Sequence, residues 1–161
     1  MTRARLILLA LASSCLLSGR VPQEPLDAAG PMSTQQDPSA EIEHRLSELN
    51  PHLTGAQLAR IQLAILRYSA KYSLDPLLVT AVIEVESAAR PWALSPSGAL
   101  GLMQVMPYMI RPMDLAGNAS TVEANIEAGC MILAGNIRRL GEEDGISAYF
   151  WGSNIRGVTY L

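Results

Sequence analysis

The chain has 161 residues, 49% of them apolar and 17% charged, with twelve Lys and Arg against fifteen Asp and Glu for a formal net charge of −3. That apolar share excludes intrinsic disorder, and two cysteines exclude a disulfide scaffold. A pI near 5.3 argues against nucleic acid, whose phosphates demand a basic face.

The first element is residues 1–19, where Arg3 and Arg5 precede the apolar run Leu6–Ala12, small residues and Leu16-Leu17. This is the basic and apolar pattern of a secretory leader, too short for a membrane span of about 20 residues. The reading therefore places the protein outside the cytoplasm, in the periplasm or cell envelope. Ala12-Ser13-Ser14-Cys15 also resembles a lipoprotein cleavage site, which makes Cys15 a candidate lipid anchor beside simple secretion. Either way Cys130 is left without an intramolecular partner. With His44 and His52 as the only histidines, no structural metal site can be assembled.

Residues 20–53 read as an acidic Pro/Gln/Ser-rich linker carrying one short helix, Glu41–Leu49, stopped by Asn50-Pro51. Between Arg20 and Ala56 there are six acids against two bases, whereas from Gln57 onward there are nine against eight. The net charge belongs to the tether, and the domain of residues 54–161 is nearly neutral.

Thr54 and Gln57 fit a capping box, and Leu58, Ile61, Ile65, Tyr68 and Tyr72 then form one helical stripe. Asp75 and Pro76 start the next helix, Pro76–Glu86, apolar on most sides and therefore central. Ser95–Gly98 reads as a turn, Ala99–Met106 as a short apolar helix closed by Pro107, and Tyr108–Val122 as mostly loop. Ile126, Cys130, Leu133, Ile137 and Leu140 mark an amphipathic helix whose end carries Arg138 and Arg139, stopped by Gly141. Ile146–Trp151 completes the set. No period-2 run appears, so the domain is expected to be all-α or nearly so.

Among the carboxylates, Glu86 follows Ile83, Val82 and Val79 at helical spacing and extends the buried stripe, while Glu84 is turned about 200° away. A carboxyl at the end of an apolar stripe is desolvated and its pKa raised, the state that suits a general acid near neutral pH. Periodicity alone allows equally that Glu86 is a solvated residue at a helix end. Ser87 either donates to that acid or merely ends the helix.

Glu86-Ser87, the run Pro91–Ala93, Ser95–Ala99 and Gly101–Pro107 closely resemble the soluble lytic transglycosylase family. Asn125–Gly129 resembles its NI-x-x-G helix start, and Ala148–Gly152 its AYN-x-G turn. The resemblance covers about Pro76 to Gly152. It implies a lysozyme-like helical fold acting on the glycan strands of bacterial peptidoglycan, with Glu86 as catalytic acid and then base. It implies cleavage between N-acetylmuramic acid and N-acetylglucosamine that leaves a 1,6-anhydro end, without a cofactor.

By the same resemblance Tyr149 stands near the acid, and Gly101, Met103 and Gln104 contact sugar. Gly101 would let backbone approach a ring, Gln104 offers an amide, and Met103 either packs on a sugar face or is a core methionine. Ordinary glycoside hydrolysis uses two carboxylates about 5–9.5 Å apart. No second acid has an evident claim here: Asp114 lies in a loop, and Glu123 and Glu127 flank a distant helix start. Phe150 replaces the family's Asn, and Met109 a small hydroxyl residue. A hydrolytic muramidase, or a glycan-binding module without catalysis, are the alternatives.

Overall fold

The computed structural model describes residues 37–110 and 120–152. Six helices follow one another: α1 (Pro38–Leu49), α2 (Gly55–Tyr72), α3 (Pro76–Ser87), α4 (Pro107–Ile110), α5 (Val122–Leu140) and α6 (Glu142–Trp151). The described residues contain no strand; two isolated bridges, Leu94–Leu100 and Leu100–Val105, are the only extended pairing among them. None of the described helices is long and apolar enough to cross a membrane.

The starts follow from local chemistry. Asp37 accepts from the Ser39 amide at 3.0 Å ahead of Pro38, so α1 begins three residues before the apolar spacing would place it. Thr54 Oγ1 accepts from Gln57 N at 3.3 Å while Gln57 Oε1 accepts from Thr54 N at 2.9 Å, the reciprocal box expected there. Thr54→Ala should remove about 1 kcal/mol of stability. A thermal midpoint about 4 °C lower in calorimetry checks it; an unchanged midpoint would show the box to be idle.

Asp75 accepts from Leu77 N at 2.8 Å and Pro76 opens α3. That helix stops abruptly, because Ala88 and Ala89 both take left-handed conformations, with φ of 48° and 54°. Alanine there costs roughly 1–2 kcal/mol per residue. The burial of Ala89, and the Asn50 Nδ2 bond to its carbonyl at 3.0 Å, hold the turn in place.

α3 packs on α1 and α2, and α5 packs on α2 and α6. Val79, Val82 and Ile83 of α3 meet Ile61 and Ile65 of α2 and Ile126 and Leu133 of α5 in one core. Ile42 and Leu46 of α1 are fully buried in that same core, each contributing about 1.5–3 kcal/mol. The folded unit therefore starts upstream of Thr54, and the helix that composition assigned to the linker is part of the domain. Two ion pairs tie α2 to α5: Arg60 to Glu123, with two contacts of 2.6 Å, and Lys71 to the buried Glu127 at 2.5 Å.

The segment from Ala99 to Met106 is a correction. It is not a helix but a tight series of turns, because Gly98, Gly101 and Gln104 all have positive φ (89°, 74° and 47°) and interrupt any right-handed run. Its apolar residues still face inward, with Leu102, Met103 and Val105 buried, which is why the composition looked helical. Pro107 opens a helical turn rather than closing one. α6 starts at Glu142, four residues before the apolar spacing suggests, with three acids in its first turn where the helix dipole favours them. The leader, Cys15, Asp114 and residues 153–161 lie outside the described residues.

Candidate active site

A cleft of about 590 Å³ opens where the last turn of α3, the turn segment, α4, α5 and α6 come together. Glu86 lines it from α3, Gln104 to Met106 from the turns, Tyr108 and Met109 from α4, Asn136 and Arg139 from α5, and Tyr149 from α6. Among the described lining residues Glu86 is the one carboxylate. It is half-buried, and burial pushes its carboxyl up to about 7. Glu84, two residues earlier on the same helix, is exposed and faces elsewhere. Glu123 and Glu127 are engaged with Arg60 and Lys71 on the α2 side of α5, away from the cleft.

Tyr149 is joined to the turn segment directly. Its hydroxyl donates to the carbonyl of Met103 at 2.8 Å. Burial first, and then the charge of Glu86, push the phenol well above its ordinary range. The phenol therefore stays protonated, with its proton committed to the Met103 carbonyl. Phe150 sits edge-on to it with ring centroids 5.9 Å apart and packs on the core, so of the two residues that depart from the family pattern Met109 lines the cleft and Phe150 does not.

The turn segment is braced from α5. Asn125 Oδ1 accepts from the Met103 amide at 2.9 Å, and its Nδ2 donates to the Leu100 carbonyl at 2.8 Å. Gly101 has no side chain because a Cβ there would come within 2.5 Å of the Asn125 amide, at a φ of 74° that already favours glycine. One turn further along α5, a Cβ on Gly129 would overlap the Met103 side chain. Gln104 holds the loop closed on itself, its Nε2 donating to Gly101 O at 2.9 Å and Ala93 O at 3.3 Å.

These contacts redistribute the expected roles. Glu86, Gln104 and Tyr149 come together in the cleft. Gly101 and Met103, expected to touch sugar, do not line it: Gly101 faces Asn125, and Met103 is fully buried over Gly129. Ser87 gives its hydroxyl hydrogen to Ile83 O at 3.1 Å, one turn back along α3, rather than to Glu86. Burial also pushes the Cys130 thiol up to about 12, leaving it a packing residue.

Sequence reasoning gave no role to Asn125, Asn136 or Arg139. For Asn125 a signal existed: an amide and a glycine one turn apart on an otherwise apolar helix face ask for a backbone partner.

Residues 64–157 match the family described as the transglycosylase SLT domain. A transglycosylase of Enterobacteria phage PRD1 is 39% identical over 87 residues, covering 53% of this chain and 32% of that protein. The endo-type membrane-bound lytic murein transglycosylase A of Klebsiella pneumoniae is 50% identical over 75 residues, covering 40% of this chain and 37% of the relative. The membrane-bound lytic murein transglycosylase C of Actinobacillus pleuropneumoniae is 48% identical over 50 residues, covering 30% and 14%. The alignments span little more than a third, at most, of these relatives' lengths.

Proposed function

The chain belongs to the transglycosylase SLT domain family, and from that premise we propose that it is a peptidoglycan lytic transglycosylase with Glu86 as its single acid–base group. The observation that carries this reading is one desolvated carboxyl, with its pKa at about 7, standing alone among the described residues of a cleft it shares with Tyr149.

In the reaction proposed, protonated Glu86 gives its proton to the bridging oxygen as the bond from muramic acid C1 breaks. The acetamido group of the same sugar supports the positive charge at C1. The carboxylate then takes the proton of the muramic acid 6-hydroxyl as that oxygen bonds to C1. The carboxyl ends as it began, no water is consumed, and the product carries a 1,6-anhydro ring. A pKa near neutrality lets one group serve in both directions. Gln104 borders the strand's path, and Tyr149, which lines the same cleft, ties α6 to the turn segment through Met103. A cell-envelope location is part of this proposal, supported by the relatives named as membrane-bound and by the leader-like residues 1–19.

Digestion of purified sacculi followed by mass spectrometry of the products tests it. Anhydro ends support the proposal, reducing ends would make the protein a hydrolytic muramidase, and no release would make it a binding module. The pH dependence carries a sign. The first step needs the protonated acid, so the turnover rate should fall about tenfold per pH unit above about 7. A rate still rising at pH 9 would exclude Glu86 as the acid.

A further inference from the structure

Among the described residues lining the cleft, Arg139 is the one cation, as Glu86 is the one anion. It projects from the last turn of α5 with its Nη2 3.5 Å from Asn136 Oδ1, one turn back, and Asn136 lines the same cleft. Of the other cations on these helices, Arg45 pairs with Glu41, Arg60 with Glu123 and Lys71 with Glu127, while Arg67 lies over the Tyr68 ring and does not line the cleft. No carboxylate among the described residues pairs with Arg139. Nor does it serve as counter-ion to Glu86, whose titration is set by burial. Arg138, its neighbour, shares the helix end and its dipole but does not line the cleft.

A guanidinium held at the wall of a binding cleft, turned to solvent and lacking a carboxylate of its own, matches a carboxylate on the ligand. In peptidoglycan the sugar backbone is neutral where the lactyl group is amide-linked, and the negative charge sits on the peptides that hang from it. We propose that Arg139, steadied by Asn136, is a specificity residue that takes a carboxylate of these stem peptides, so that the cleft selects peptide-bearing strands. This rests on the reading of the cleft as the site that holds the glycan.

The test is binding, measured by co-sedimentation of the full chain carrying Glu86→Gln with purified sacculi. A second sample of the same sacculi has its carboxylates converted to primary amides. Amidation should weaken binding about tenfold, the usual worth of one charge-assisted contact. Adding Arg139→Ala should weaken binding to native sacculi by a similar factor and abolish the sensitivity to amidation, whereas Arg139→Lys keeps part of it. Arg138→Ala should behave as the parent.

The proposal is overturned if Arg139→Ala remains as sensitive to amidation as the parent, or if Arg138→Ala weakens binding equally. It is overturned too if the Arg139 effect survives intact on strands stripped of peptide by an amidase, since the partner is then the sugar's own lactyl carboxylate. Failure of the chain with Glu86 intact to lyse sacculi would overturn the cleavage reading alone, because these binding arms need no turnover.

Discussion

Glu86→Gln is expected to keep the fold and to lower the release of muropeptides from sacculi by about a thousandfold, within the range that a positioned general acid contributes. Gln preserves the size and polarity of the side chain but has no proton to give at neutral pH. The stability of this variant carries a second signature. Burial raises the carboxyl of Glu86 to about 7 in the folded chain, against about 4.3 for an unperturbed glutamate. The folded state therefore binds the extra proton between those values.

The parent's stability should accordingly be highest below about pH 4.3, as far as this group decides it, and should decline as pH rises through about 7. Glu86→Gln is free of that decline. Its thermal midpoint relative to the parent should be higher at pH 8 than at pH 5, while lysis is lost at both. A variant with lost activity and an unchanged pH dependence of melting would mean that Glu86 is not desolvated. Activity within a factor of ten of the parent would remove Glu86 from the chemistry.

The second large effect belongs to Asn125. Asn125→Ala leaves the buried Met103 amide without the acceptor it has at 2.9 Å, and takes from the Leu100 carbonyl one of two donors, the Val105 amide at 2.9 Å being the other. At about 1–3 kcal/mol for the stranded amide and about 1 kcal/mol for the second bond, the loss should come to about 3 kcal/mol in denaturant unfolding. Activity should fall with it, because the same Met103 residue offers its carbonyl to Tyr149. Asn125→Asp keeps the acceptor for Met103 and loses the donor to Leu100, so about half of the stability should return. A loss below about 0.5 kcal/mol for the alanine variant would show that the turn segment holds its shape without α5.

The helices were legible in the sequence wherever a cap and a stripe agreed. Thr54 with Gln57, and Asp75 with Pro76, marked the starts of α2 and α3 to the residue. The misread segment was the one where neither rule applied: Ala99 to Met106 is short and apolar, and its backbone is decided by two positive φ values within it and a third at Gly98 just before it, which hydrophobic spacing does not encode. The burial of α1 was hidden for a related reason. Two apolar residues in an acidic stretch look like linker until Ile42 and Leu46 find a core supplied by other helices.

The site followed the same division. The spacing of Glu86 to Ile83, Val82 and Val79, which share its helix, offered an inward turn as one of two equal readings, and the half-buried side chain fits that one. What Met103, Gly101 and Ser87 do depends on partners elsewhere in the fold, or on a choice between two acceptors. For them the residue type named the neighbourhood but not the contact.

The bond from Tyr149 to Met103 joins residues 46 positions apart, and Tyr149 sits in the last helix described. During synthesis the acid, the turn segment and α5 all emerge before the residue that closes the wall against them. An unfinished chain thus carries Glu86 beside a wall still missing Tyr149, and the cleft is complete only once α6 has docked. Closure of the site is a matter of order along the chain.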